Sequence, residues 1–321
     1  MATVVIFGGS GYIGTKLAEH LLNSQMVNIV LADIRPVKIS DKRISYIGCD
    51  VRNSIDLSLF PAGEVSWIFN LAAVHREPGH EVHEYYQTNL KGAQNVCAFA
   101  DAVGCNNILF SSSISVYGPT PAPTDELADK MPNTAYGISK LVSEYIHRDW
   151  LAARPERRLV IVRPGVVYGP GDPGNILRMV RAIKRGFFLL PVSGTIKKSY
   201  GYIYGLLESF DFVMGLPDRF AIYNYVEKET IPLAGMIAAI NRAFGYSGKM
   251  IRIPISLLLL AARIVHFVSP NLNGIHPDRV KKVARPTHIV PGFLRDRGFN
   301  FSYDFESSLY DWLARSPGDF K

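Results

Sequence analysis

Short, unbroken apolar runs alternate with longer stretches of helical period through the first half of this chain. Val4-Val5-Ile6-Phe7, Ile29-Val30-Leu31, Trp67-Ile68-Phe69, Ile108-Leu109-Phe110 and Leu159-Val160-Ile161-Val162 predict strands. Residues 12–22, 82–101 and 136–153 predict helices between them. Strands that are apolar at every position, not at every second one, belong to a sheet covered on both faces. The alternation therefore predicts an α/β chain built on a doubly wound parallel sheet over residues 1–170. Beyond Arg163 the texture changes. Pro164, Pro170, Gly171, Pro173 and Gly174 punctuate a loop, and a less regular, mostly helical stretch follows with one strand at 221–225. We expect a smaller substrate lobe over residues 171–321, with a segment near 195–228 returning to the first domain.

Composition narrows the class. Of 321 residues, 48% are hydrophobic and 20% charged, which excludes disorder as the main state. Lys and Arg number 35 against 28 Asp and Glu, a net charge of +7 and a pI of about 9.2. That excess suits an anionic partner: nucleic acid, an acidic membrane surface or a phosphate-bearing small molecule. Cys49, Cys97 and Cys105 are too few for a disulfide framework and lack metal-ligand spacing, so we expect no metal and a reducing, cytoplasmic setting. The N-terminus reads directly as a strand, and no secretory signal is expected. The apolar run 257–262 stops at Arg263 and is far shorter than the ~20 residues a spanning helix needs. We expect no transmembrane segment there and assign those leucines to core packing, with an interfacial helix as the alternative. No repeat, low-complexity tract or heptad run is present.

Chemistry enters directly after the first predicted strand, at Gly8-Gly9-Ser10-Gly11-Tyr12-Ile13-Gly14. One glycine permits the tight turn, one lets the backbone approach a pyrophosphate, and Gly14 lets helix and strand pack closely. The helix N-terminus then offers free N–H groups to phosphate, as in Rossmann-type dinucleotide sites. Asp33 ends the second predicted strand, 19 residues past Gly14, where an acidic side chain accepts ribose hydroxyls. Its charge would repel a 2′-phosphate, so the expected cofactor is NAD, although Arg35 nearby is the kind of residue that accommodates NADP.

Tyr136 and Lys140 stand four apart on a predicted helix and so share a face. A phenol titrates near about 10, and a cation beside it favours phenolate, which would bring it toward acid/base work near neutrality. Ser111-Ser112-Ser113 follows a predicted strand, where side chains face the ligand crevice of such a sheet.

These residues resemble the extended short-chain dehydrogenase/reductases, specifically the NAD-dependent nucleotide-sugar epimerase/dehydratase group. The likeness rests on the glycine turn, Asp50-Val51, Asn70-Leu71-Ala72-Ala73, Thr88-Asn89-Leu90, Ser111 through Gly118, Tyr136-x-x-x-Lys140 and Arg163-Pro164 through Gly171. It implies that Tyr136 is the acid/base, that Lys140 holds the nicotinamide ribose and tunes Tyr136, and that Ser113 bonds the reacting oxygen. It also implies cofactor contacts from Gly8, Gly11, Tyr12, Ile13, Gly14, Asp33, Asp50, Val51, Leu71, Ala72, Ala73, Asn89 and Ser111. A homodimer through the helices at 82–101 and 136–153 follows from the same likeness.

The group's dehydratases carry an Asp-Glu pair after the serine. Here Ile114 and Ser115 follow Ser113, which disfavours elimination and leaves hydride chemistry at one carbinol carbon. The expected activity is epimerisation of a nucleotide-activated sugar with NAD recycled in place, in surface polysaccharide assembly. The alternatives are a keto-sugar or hydroxysteroid-like reductase and, from another class, a noncatalytic dinucleotide-sensing regulator. Substrate contacts are less defined: the asparagine these epimerases carry shortly after the Arg163 strand is absent, leaving His75, Asn175 and Arg285 as candidates. Arg285 ends the basic run from His276, which also reads as a solvated helix face. No nucleic-acid motif accompanies the positive charge.

Overall fold

The computed structural model describes residues 2–24, 27–37, 39–60, 63–77, 79–172, 174–190, 195–268 and 285–321. Its centre is a seven-stranded, wholly parallel sheet. The strands are β1 (Thr3–Phe7), β2 (Asn28–Asp33), β3 (Ile44–Gly48), β4 (Val65–Asn70), β5 (Asn107–Ser111), β7 (Arg158–Pro164) and β11 (Phe220–Tyr225). They lie in the order β11-β7-β5-β4-β1-β2-β3.

Each central strand is buried on both sides, which is why its sequence is apolar throughout. On β1, Val4 and Ile6 enter one core with Leu17 and Leu21 of α1 (Tyr12–Ser24) and Leu206 and Phe210 of α5 (Ile203–Gly215). Val5 and Phe7 enter the opposite core with Val96 and Phe99 of α2 (Val82–Ala102) and Trp150 of α3 (Ala135–Ala152). Each such large apolar side chain contributes roughly 1.5–3 kcal/mol on burial. The edge strand β3 escapes the apolar pattern because only Ile47 on it is buried. The predicted strand at 221–225 is β11, paired with β7 from Phe220↔Leu159 to Tyr225↔Pro164.

The later segments form their own layer. The helices α4 (Asn175–Lys184), α6 (Leu233–Phe244) and Phe305–Arg315 bring together Ile176, Val180, Met236, Ile240, Leu309 and Trp312. Short parallel ladders join β8 (Val166–Tyr168) to β10 (Tyr200–Tyr202), β9 (Phe187–Leu190) to β12 (Lys249–Arg252), and β6 (Thr120–Thr124) to β13 (Thr287–Ile289). Beyond β12 comes α7 (Ile255–Val268). Core packing was the expectation for its leucines, and it fails for Leu257 and Leu260, which are 56% and 55% exposed. Among the described residues, no helix is long and apolar enough to cross a membrane, and no His/Cys/Asp/Glu group is arranged to hold a metal ion.

Candidate active site

The neighbouring strands β1 and β4 send their helices to opposite faces of the sheet, α1 to one core and α2 to the other. Such a divergence opens a crevice at the carboxyl ends of the two strands. Gly8 turns into it with φ +79°, and a Cβ there would sit 2.7 Å from the Ala72 nitrogen and the Leu71 carbonyl carbon. A Cβ at Gly14 would sit 2.5 Å from the Gly8 oxygen, so the first turn of α1 stays against the loop only as glycine. The loop therefore presents bare backbone and a helix N-terminus to the crevice, a cradle for a pyrophosphate.

Asp33 closes the cradle at the end of β2. Its carboxylate accepts from the Ser10 and Arg35 backbone N–H groups at 3.1 and 3.0 Å, which aims it while leaving lone pairs for ribose hydroxyls. Arg35 is 70% exposed, with its Nε 3.8 Å from the same carboxylate. The fixed negative charge thus faces the ribose position and the cation lies outside it, an arrangement suited to NAD.

The remaining expected cofactor residues separate by surroundings. Leu71 donates its N–H to the Phe7 carbonyl at 2.9 Å, holding the segment through Ala72 and Ala73 beside the glycine turn. The Asn89 side chain accepts from the Val74 N–H at 2.9 Å and donates to the Val74 carbonyl at 3.1 Å and the Ser139 hydroxyl at 2.8 Å. It fastens that wall to α2 and α3. Val51 is buried in the core against Gly92. Asp50 pairs with Arg52 at 2.6 Å, and those hydrogen bonds hold its carboxyl below the usual range. The Tyr12 side chain points away from the cradle: its hydroxyl is buried without a hydrogen-bond partner near Gly169 and Asp172. Tyr12 and Ile13 offer the cradle their backbone at the start of α1.

Thr134 caps α3 by accepting from the Gly137 N–H at 3.1 Å. A Cβ on Gly137 would meet the Ser115 carbonyl at 2.5 Å. That close approach brings the first turn of α3 against the 3-10 turn Ile114–Tyr117, so Tyr136 faces Ser113. Ser113 caps the same turn, its hydroxyl accepting from the Ser115 N–H at 3.1 Å. Lys140 is fully buried one helical turn on, its Nζ 4.5 Å from the centroid of the Phe110 ring.

Burial pushes both reactive groups toward their neutral forms. The Tyr136 phenol is pushed up to about 12 by burial, with Ser113 acting against the rise. Lys140 is pulled down to about 7 by burial, with Glu144 opposing. The expectation that Lys140 would draw the phenol toward neutrality is not met in this cleft: desolvation dominates, and the group that opposes it is Ser113.

Residues the motif reading passed over complete the site. Glu144, four past Lys140, accepts from Ser112 Oγ at 2.5 Å and takes a two-point ion pair from Arg163 at 2.8 and 2.7 Å. Arg163 donates to the Tyr117 hydroxyl at 2.7 Å, and Tyr117 donates to Asn224 at 2.8 Å. The i+4 spacing from Lys140 was the sequence signal for Glu144; its partners lie on other strands and left none. Tyr85 packs its ring 6.3 Å from that of Tyr136, and Glu77 raises the Tyr136 pKa slightly further.

The three candidate substrate residues have separate fates. His75 lies within electrostatic reach of Lys140: burial of its ring pulls its pKa down, the Ala73 backbone hydrogen bond opposes, and the Arg76 and Lys140 charges add to the fall. Asn175 is exposed at the start of α4, with its amide oxygen accepting from Arg178 at 2.7 Å. Arg285 is exposed beside β13, its carbonyl accepting from Lys198. Neither makes a contact with Tyr136, Lys140 or Ser113 among the described residues. The basic run before Arg285, residues 276–284, lies outside the described residues.

A dinucleotide cradle beside a tyrosine, lysine and serine defines an oxidoreductase-type enzyme that moves a hydride and a proton at one carbon. Residues 4–225 match the model of the NAD dependent epimerase/dehydratase family, and the chain belongs to that family, with NAD as its cofactor. It is similar to the N-acetyl-alpha-D-glucosaminyl-diphospho-ditrans,octacis-undecaprenol 4-epimerase of Escherichia coli O157:H7, 29% identical over 95% of this chain and 92% of that protein. It is also similar to the UDP-glucose 4-epimerase of Bacillus subtilis, 30% identical over 54% of this chain and 55% of that protein. Among solved structures, the Thermus thermophilus UDP-glucose 4-epimerase complex with NAD shares the fold at a TM-score of 0.74 and 19% identity, over 98% of this chain and 99% of that one.

Proposed function

We propose that this protein is a 4-epimerase of a hexose or N-acetylhexosamine carried on a diphosphate, working in the assembly of surface polysaccharide. The geometry that carries the reading is the Tyr136, Ser113 and Lys140 cluster at the open end of the NAD cradle. NAD, when bound, supplies the acceptor that removes hydride from the carbinol carbon and returns it. Oxidation needs Tyr136 as phenolate, a form that burial opposes and that the positive charge of bound NAD would favour; the phenolate takes the hydroxyl proton as the hydride leaves, and the neutral phenol gives it back on return. Ser113 hydrogen-bonds the same oxygen, and Lys140 holds the cofactor ribose. The keto-sugar presents its other face before hydride returns, so atoms and electrons balance with no net consumption of cofactor. The buried Ile114, where an elimination would need an acid or base, supports epimerisation over dehydration.

The near end-to-end likeness to an undecaprenol-linked epimerase favours a polyprenyl carrier for the diphosphate over a nucleotide. A cytoplasmic enzyme fits either carrier. A homodimer through α2 and α3 is supported by Val82, Ile138 and Tyr145, which leave 61%, 38% and 51% of their surfaces exposed on those helices. The test is to supply the purified protein with UDP-linked and polyprenyl-diphosphate-linked N-acetylglucosamine and identify the sugar products. C4 inversion without added cofactor supports the proposal; reduction that consumes added NADH, or no turnover of either, overturns it.

A further inference from the structure

The positive charge of this protein is concentrated. Residues 173–207 and 230–277 contain ten of the 35 Lys and Arg and none of the 28 Asp and Glu, which leaves the rest of the chain with 25 against 28. Residues 1–170 carry 15 Lys and Arg against 16 Asp and Glu, so the cofactor half does not account for the basic excess.

The two tracts adjoin at the β9/β12 ladder, where the Lys249 N–H donates to the Gly186 carbonyl at 2.9 Å and the Ile253 N–H to the Leu190 carbonyl at 3.0 Å. Across the β9/β12 ladder Phe187 pairs with Lys249 and Leu189 with Ile251. Register partners in a sheet point the same way, and all four are exposed: Phe187 48%, Leu189 42%, Ile251 44%, with Lys249 beside them. The alternate positions Phe188, Leu190 and Met250 turn inward to the core. Directly after β12, Ile255, Leu257 and Leu260 of α7 are exposed at 37%, 56% and 55%. Cations border this apolar strip: Arg185 precedes it, Arg252 joins its two parts, and Arg263 follows. An open groove lined by Arg181, Lys184, Arg185, Phe320 and Lys321 adjoins the strip at Arg185, with the Asp319 carboxylate within electrostatic reach of Arg181. There Arg181 and Lys184 donate to the backbone carbonyls of Asp319 and Phe320.

An aliphatic and aromatic strip bordered by the exposed Arg185, Lys249, Arg252 and Arg263 matches a bilayer interface, where apolar side chains enter the acyl boundary and cations meet anionic headgroups. We propose that this face docks the protein on an anionic membrane surface. An acidic protein would satisfy the cations but would leave the aliphatic residues on two adjoining elements without a matching partner. The proposal deepens the polyprenyl-carrier reading, since a lipid-linked sugar is reached only at a bilayer.

The test is sedimentation of the purified full-length chain with vesicles of phosphatidylglycerol and phosphatidylethanolamine, in parallel with phosphatidylcholine alone. Binding to the anionic vesicles is expected. It should weaken at least about tenfold toward 1 M salt, where screening shortens to about 3 Å, and fall by a similar factor in the Leu257→Asp/Leu260→Asp variant. Retained NAD content in that variant separates lost docking from lost folding. Absence of binding by the natural chain, or unchanged binding by the variant, overturns the proposal. A change in the variant's mass by light scattering also overturns it, by making the face a subunit contact. The carrier reading fails separately: vesicle binding with turnover of UDP-sugars alone refutes the polyprenyl carrier and leaves docking intact. Turnover of a detergent-solubilised polyprenyl-diphosphate sugar without vesicle binding does the reverse.

Discussion

The cleft around Lys140 and the face around Leu257 treat charge and apolar surface in opposite ways. In the cleft, Glu144 and Arg163 are almost wholly buried and each has its partner, through Ser112, Tyr117 and Asn224. On the face, cations are exposed beside leucines that pack on little. The first arrangement is what chemistry requires: reactive groups lose water, so their protonation answers to neighbours. The second suits recognition, because exposed charge and apolar surface release free energy only when a partner arrives.

Four experiments would break or sharpen that contrast. The largest effect belongs to Tyr136→Phe, which removes the proton-transfer group; turnover should fall by about 10²–10⁴-fold while NAD content stays unchanged. Intact turnover would refute a catalytic role and favour a dinucleotide-sensing regulator.

Next is Glu144→Gln, which strands the buried Arg163 guanidinium. Breaking one side of a buried pair costs about 3–5 kcal/mol, visible as a lower denaturant midpoint. A loss below about 1 kcal/mol would mean that water reaches the pair.

Lys140→Met tests the cost of burying a lysine. The folded-state pKa of Lys140 is near 7, below its ordinary 10.5, so between those values the unfolded chain binds the proton and the folded chain does not. The stability penalty is complete below about pH 7, shrinks as pH rises, and vanishes above the unfolded value. The variant should therefore be more stable than the natural chain at pH 6–7, by on the order of a few kcal/mol, with the gap closing toward pH 10. Parallel melts across that range decide it, and a gap independent of pH would contradict the assigned shift.

The smallest effect is expected from Leu257→Asp. A half-exposed position away from the packed core should change stability by less than about 0.5 kcal/mol in chemical denaturation. A loss of several kcal/mol would return that leucine to the core.

Much of the fold was legible because its signals are local. A strand buried on both faces must be apolar throughout, so β1, β2, β4, β5 and β7 stand out; β3 has one buried side chain and does not. Gly8 and Gly14 are demanded by backbone contacts within a few residues or across one strand pair. Tyr136 and Lys140 declare themselves through helix geometry. The Glu144–Arg163–Tyr117–Asn224 chain was invisible because its members come from four separate elements. Tyr12 was read for its motif position, and the direction of its side chain depends on the distant Gly169 turn.

From the sequence alone came the parallel sheet, the NAD cradle with Asp33, and the Tyr136/Lys140 pair, each set by steric and burial rules that act over a few residues. The basic excess was also plain there, though not its address. Only the tertiary structure decided that desolvation raises the Tyr136 phenol and lowers the Lys140 ammonium toward neutrality, since burial is a property of the whole cleft. The same holds for Leu257 and Leu260: an apolar run is equally suited to a core or an exposed face, and its neighbours in space determine which it becomes.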